Sequence, residues 1–160
     1  MRCMEELLQC SYEMIHMMGE YMNKVEDEEL GDILKQHLPY ILQAYNEQVN
    51  FQEGENVQHM ICEQLRSPLI QNGIPMTNTS KGDTEIAISY ISNLKRLALR
   101  FAQVAVEVAN PEFRSFLENC FVKMNRYAYS IWQYVVKKEY TIENIYAAER
   151  FAWNEKQDSV

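Results

Sequence analysis

Val104-Ala105-Val106-Glu107-Val108-Ala109-Asn110-Pro111-Glu112-Phe113-Arg114-Ser115-Phe116-Leu117 holds the change of direction on which the fold turns. Asn is a good N-cap, Pro suits the first helical position, and Glu in the first turn complements the helix dipole. The tripeptide Asn110-Pro111-Glu112 therefore ends one helix and starts another. Upstream, Ala87, Ile91, Leu94, Ala98, Phe101, Ala105 and Val108 recur at alternating spacings of four and three. Downstream, Phe113, Leu117, Cys120, Met124, Tyr127, Ile131 and Tyr134 do the same. Each set forms one apolar stripe along a helix. Residues 84–137 thus read as a helical hairpin, its first helix beginning near Asp83 or Thr84.

The same pattern occurs 83 residues earlier. Val25 aligns with Val108, Asp27 with Asn110, Glu29 with Glu112, Leu30 with Phe113 and Leu34 with Leu117. Before this break, Met4, Leu8, Ser11, Ile15, Met18, Met22 and Val25 form a stripe. After it, Leu30, Ile33, Leu34, Leu38, Ile41, Leu42, Tyr45 and Val49 form another, with Asp27 as the expected N-cap. Pro39 falls within the second stripe. Because the pattern continues on both sides, it is expected to kink that helix rather than end it. Residues 1–52 are a first hairpin.

Residues 53–83 differ in character. Val57, Met60, Ile61 and Leu65 suit a short helix, whereas Pro68, Gly73, Pro75 and Thr77-Asn78-Thr79-Ser80-Lys81-Gly82-Asp83 read as loop. This connection is too long for a hairpin turn and long enough to run the length of a bundle. Two short-looped hairpins joined by one long crossover describe a ferritin-like four-helix bundle. Thr141, Ile142, Ile145, Tyr146 and Trp153 add a short amphipathic fifth helix over 141–156. Residues 1–160 are expected to form one all-α domain.

The 15 Lys and Arg residues against 23 Asp and Glu give a net charge of −8. That balance disfavours nucleic acid and anionic membrane surfaces as partners, since the only basic runs are Lys95-Arg96 and Lys137-Lys138. No apolar run is long enough to span a bilayer, and Met1-Arg2-Cys3-Met4-Glu5-Glu6 lacks the apolar core of a signal peptide. A cytoplasmic site of synthesis is expected. Cys3, Cys10, Cys62 and Cys120 show no CxxC spacing, so they read as thiols rather than a zinc site or redox pair.

A di-iron centre in such a bundle takes a Glu from each of two helices and Glu-x-x-His from each of the other two. Only Glu13-Met14-Ile15-His16 matches, leaving Glu13 and His16 as weak metal candidates. Glu47, Glu107 and Glu118 are the carboxylates that would have to join them. His37 has Leu34 where the Glu should stand. No Gly-x-Ser-x-Gly turn or phosphate-cradling glycine loop is present. Neither a catalytic residue nor a cofactor is expected. The aromatic residues Tyr127, Tyr129, Trp132, Tyr134, Tyr140 and Tyr146 read first as core and rim packing, and second as an interaction surface. Met14, Met17, Met18 and Met22 read first as adaptable core filling, and Met17, off the first stripe, is a candidate for an interface.

The stretch from Asp83 to Trp153 resembles the Coat F domain of bacterial spore coat proteins. The family's break, Asn-Pro-x-Leu-Arg, stands here as Asn110-Pro111-Glu112-Phe113-Arg114. It is followed by a helix over Ser115–Val136, an aromatic end at Lys137-Lys138-Glu139-Tyr140, and a further piece from Thr141 to Glu155. Phe113 replaces the usual Leu, and Glu139 stands where the family has Gly. Glu5–Gln52 resembles the leading hairpin of two-hairpin members, with Glu28-Glu29-Leu30 at the equivalent break. The resemblance implies a ferritin-like bundle and a non-enzymatic structural place in the endospore coat. The implied partners are other coat proteins or further copies of the chain as a homo-oligomer. Two alternatives stay open: a ferritin-like metal-dependent oxidase or catalase, and a helical ligand-binding or regulatory module unrelated to spores.

Overall fold

A computed structural model describes residues 2–52 and 81–138. Apart from the breaks at 25–27 and 108–110 they are helical: α1 (Arg2–Lys24), α2 (Glu28–Gln52), α3 (Lys81–Glu107) and α4 (Pro111–Lys138). The expected connection over 53–80 and the expected fifth helix over 141–156 lie outside the described residues.

The two breaks are built alike, at the offset of 83 seen in the sequence. At the first, the Val25 N–H bonds the Tyr21 carbonyl and the Gly31 N–H bonds the Asp27 carbonyl. At the second, the Val108 N–H bonds the Val104 carbonyl and the Arg114 N–H bonds the Asn110 carbonyl. The caps differ in their side chains. Asn110 Oδ1 accepts the Phe113 N–H at 2.9 Å, as expected of an N-cap. The Asp27 carboxylate does not close its own helix; it accepts a hydrogen bond from the Tyr134 hydroxyl at 2.5 Å.

Contacts at both ends fix the directions of the helices. Arg100 on late α3 bonds Glu6 on early α1 at 3.1 Å, while Tyr21 on late α1 meets Ser89 on early α3 at 2.6 Å. The two helices are therefore antiparallel. Phe51 at the end of α2 stacks on Phe113 at the start of α4, with ring centroids 3.6 Å apart, and Asp27 meets Tyr134 at the other end. This pair is antiparallel too. It follows that α2 and α3 run in the same direction, and that Gln52 and Lys81 lie at opposite ends of the molecule. Each helix packs against two others: α1 against α2 and α3, and α4 against α2 and α3.

The core stripe of α4 is the one read from the sequence, with Phe113, Leu117, Cys120, Met124, Tyr127, Ile131 and Tyr134 all buried. The other stripes are rotated. On α1 the deeply buried positions are Leu7, Met14 and Tyr21, and the expected Leu8, Ile15 and Met22 are only partly buried. Because α1 packs against two helices, its apolar arc is wide, and both sets flank the shared positions Met4, Ser11 and Met18. Met17 is partly buried and faces α3 within the chain, where its sulfur accepts from Asn93 at 3.3 Å. On α2, Leu42 is exposed, whereas His37, Ala44, Glu47 and Gln48 are buried. The helix continues through Pro39. On α3, Tyr90, Leu97 and Val104 join the expected stripe, and the helix begins at Lys81, ahead of the expected start.

The cap at Asn110 is testable on its own. Asn110→Ala removes the acceptor for the Phe113 N–H and is expected to cost about 1 kcal/mol in denaturant unfolding. An unchanged midpoint would mean that this cap does not stabilise α4.

Candidate functional site

Two clusters of polar side chains tie the four helices together. The first lies at the molecular end where α1 turns into α2. Asp83, in the first turn of α3, is buried. Its Oδ1 accepts the Glu26 N–H at 2.8 Å and its Oδ2 accepts the Asp27 N–H at 3.1 Å. The break between α1 and α2 leaves backbone N–H groups without helical partners, and a carboxylate from another helix supplies two acceptors at once. Next to it, Lys138 Nζ lies 3.6 Å from Asp27 Oδ2 and 3.4 Å from Glu29 Oε2, and Lys137 Nζ bonds Glu29 Oε1 at 2.9 Å. Burial, followed by the hydrogen bond to Asp27, holds the Tyr134 phenol well above its usual pKa, so it remains a donor.

The second cluster crosses the middle of the molecule. His37 of α2 bonds the Tyr90 hydroxyl of α3 through Nδ1 at 2.9 Å. Its ring stacks on Tyr127 of α4, with centroids 3.6 Å apart and an interplanar angle of 10°. Tyr21 of α1 packs edge-on against Tyr90, and its hydroxyl meets Ser89 Oγ at 2.6 Å and the Asn93 amide at 2.9 Å. Lys123 of α4 is buried, with Nζ 3.7 Å from the centre of the Tyr40 ring, a cation–π contact in a desolvated setting. About three turns further along α2 from His37, Gln48 donates to Ser11 at 3.1 Å and to the Ala44 carbonyl at 2.9 Å. Burial, and then the positive charge of Lys123, lowers the His37 pKa to about 3. The imidazole is thus neutral at physiological pH and shares one hydrogen bond with a phenol that burial pushes well above its ordinary range.

This arrangement is suited to locking helices together. A buried imidazole with so low a pKa is a weak base near neutrality. Among the described residues, no group of three or more His, Cys, Asp or Glu side chains is placed to hold a metal ion. Glu13 and His16 are exposed on α1. Glu13 accepts from Gln9 and lies 3.9 Å from Arg96, while His16 pairs at 3.8 Å with Glu20. Glu47 is buried on α2, and Glu107 and Glu118 are exposed on α3 and α4. An open groove lined by Asp27, Glu28, Glu29, Asp32, Ile33 and Gln36 is acidic, and Lys137 and Lys138 already engage two of its carboxylates. The Cys3 thiol is held above its usual pKa chiefly by a hydrogen bond with Glu107, and that of Cys10 chiefly by burial. Both shifts disfavour the thiolate, which is the reactive form. Cys120 is a buried free thiol, and Cys62 lies outside the described residues.

The sequence offered little signal for these residues. His37, Gln48 and Lys123 stand at helical core spacing, but a search for apolar stripes passes over polar side chains. Asp83 stood at the end of a polar run, near the expected start of α3, with nothing in the sequence to tie it to Glu26 and Asp27.

Residues 82–143 match the family model of the Coat F domain. The chain resembles the Coat F family, as the Asn110–Arg114 break indicated. The matched stretch takes in α3 and α4 from Gly82 to Lys138, and the first hairpin lies outside it. No curated protein and no solved structure matches the chain.

Two outcomes follow from the clusters. Asp83→Ala leaves two backbone N–H groups without their acceptor and is expected to cost about 2–4 kcal/mol in chemical unfolding. A loss below that of a surface substitution would show that the clamp contributes nothing. For His37, the folded-state pKa of about 3 lies below the ordinary value of 6.5. The unfolded chain therefore takes up the proton first, and stability falls as pH drops from about 6.5 toward 3 by about 1.4 kcal/mol per unit. Unfolding free energies at pH 6.5 and 5 should show this slope in the wild type and a flatter one in His37→Gln. Equal slopes would contradict a buried, neutral His37.

Proposed function

We propose that this chain is a structural protein of the bacterial endospore coat, acting through helix packing and protein–protein contacts and without a catalytic residue of its own. The observation that carries the reading is the Coat F match over residues 82–143. The chain's own architecture supports it. Polar contacts link all four helices through interior hydrogen bonds and stacked rings, which suits a rigid building unit. The common direction of α2 and α3 supports a ferritin-like bundle with one long crossover, as the family resemblance implies. The partners in this reading are coat proteins, further copies of this chain among them. Among the described residues no helix is long and apolar enough to cross a membrane, so association with the coat would proceed through protein surfaces.

A fluorescent fusion followed through sporulation in the native host tests the proposal. A ring or cap around the developing spore is the expected result. Diffuse signal in growing cells, with none on spores, would overturn it. Stoichiometric iron or manganese in the purified protein would replace it with the metal-dependent alternative.

A further inference from the structure

The two hairpins are related by a pseudo-two-fold axis, and the contacts between them show where it runs. At the offset of 83, Glu13 corresponds to Arg96 and Tyr40 to Lys123. Both pairs are in contact. Glu13 lies 3.9 Å from Arg96 across the α1–α3 seam, and Lys123 Nζ lies 3.7 Å from the centre of the Tyr40 ring across the α2–α4 seam. A position that meets its own equivalent lies on the axis, so these two pairs mark it. Contacts away from the axis come in reciprocal sets. Glu6 bonds Arg100, while Ser89, the equivalent of Glu6, bonds Tyr21, one turn beyond the equivalent of Arg100, Met17. Phe51 stacks on Phe113, while Tyr134, the equivalent of Phe51, bonds Asp27, one turn before the equivalent of Phe113, Leu30. The antiparallel pairing of α1 with α3 and of α2 with α4 is what a two-fold axis perpendicular to the helices produces. This is the geometry in which two subunits meet in a dimer.

The residues on the axis decide which hairpins can pair. A first hairpin against a second sets an acid against a base at Glu13 and Arg96, and a ring against a cation at Tyr40 and Lys123. Two first hairpins would set Glu13 against Glu13. Two second hairpins would set Arg96 against Arg96 and would bury Lys123 against Lys123, a like-charge contact in a desolvated place. The overall charge acts in the same sense. Residues 1–52 carry ten acidic and three basic side chains, and residues 81–138 carry five acidic and nine basic ones. First and second hairpins therefore attract each other before contact, whichever copies of the chain they belong to.

We infer that the α3–α4 face around Arg96 and Lys123 docks the first hairpin of a second copy of the chain, in a two-fold dimer formed by reciprocal exchange of hairpins. Every contact between hairpins named above recurs unchanged in such a dimer, as do the Asp83 bonds to Glu26 and Asp27. Exchange is for that reason a low-cost route to association. Gln52 and Lys81 lie at opposite ends of the molecule, so no tight turn holds a first hairpin to the second hairpin of its own chain. The inference is independent of the coat reading.

The test uses the full chain with its four cysteines replaced by alanine and one new cysteine on the axis. Glu13→Cys and Arg96→Cys proteins are mixed, unfolded together, refolded at high protein concentration and treated with a short bis-maleimide. Exchange should give covalent dimers containing one chain of each kind, severalfold above the dimers in either protein treated alone. The protein carrying both substitutions, refolded at low concentration, should link within a single chain, and failure of that link would contradict the axis itself. Equal dimer in the mixture and in either protein alone would overturn the inference, because like hairpins would then be pairing. A mixture without mixed dimers would overturn it as well. The unmodified protein gives a second reading. After refolding at high concentration, light scattering should find a dimer that persists on dilution and becomes monomer only after renewed unfolding. Monomer alone would contradict hairpin exchange.

Discussion

The arrangement of the two hairpins depends on one buried carboxylate. Asp83 reaches from the first turn of α3 to the N–H groups of Glu26 and Asp27, at the only point where the first hairpin's backbone leaves its helical ladder. A helix break exposes donors that must be satisfied when they are buried. Meeting them from another helix converts a local requirement into a long-range tie. That tie sets the start of α3 beside the end of α1 and thereby makes α2 and α3 run the same way. Asp27, relieved of closing its own cap, turns its carboxylate to Tyr134 and Lys138 at the end of α4.

The middle of the molecule follows the same logic with neutral groups. His37, Tyr90 and Tyr127 bring α2, α3 and α4 to one stack, and Tyr21 adds α1. Buried polar groups are costly unless satisfied, so such a network disfavours sliding of one helix past another more strongly than an all-aliphatic core would. Lys123 places a charge over Tyr40 within this stack, and the same charge helps keep His37 neutral.

Much of this architecture could be read from the residues. The breaks at Asp27 and Asn110, their shared offset and the full stripe of α4 were visible because caps and apolar periodicity are local signals. The stripes of α1 and α2 were displaced because a helix packed against two neighbours has a wide buried arc, within which Leu7 and Leu8, or Met14 and Ile15, are near-equal choices. His37, Gln48 and Lys123 went unread because their burial depends on partners from other helices. Asp83 is the clearest case: in sequence it ends a polar run, and only the folded chain brings it to Glu26 and Asp27. The Asn-Pro-Glu-Phe-Arg break, by contrast, was enough to indicate the Coat F resemblance that the match over residues 82–143 bears out.

The central structural claim is that Asp83 holds the two hairpins in this relative direction by accepting the Glu26 and Asp27 amide protons. Native-state hydrogen exchange at those two amides tests it most directly, because the two residues lie outside any helix and would otherwise exchange as a turn does. The account predicts protection comparable to that of amides inside α3. Exchange at the rate of an open turn would contradict it.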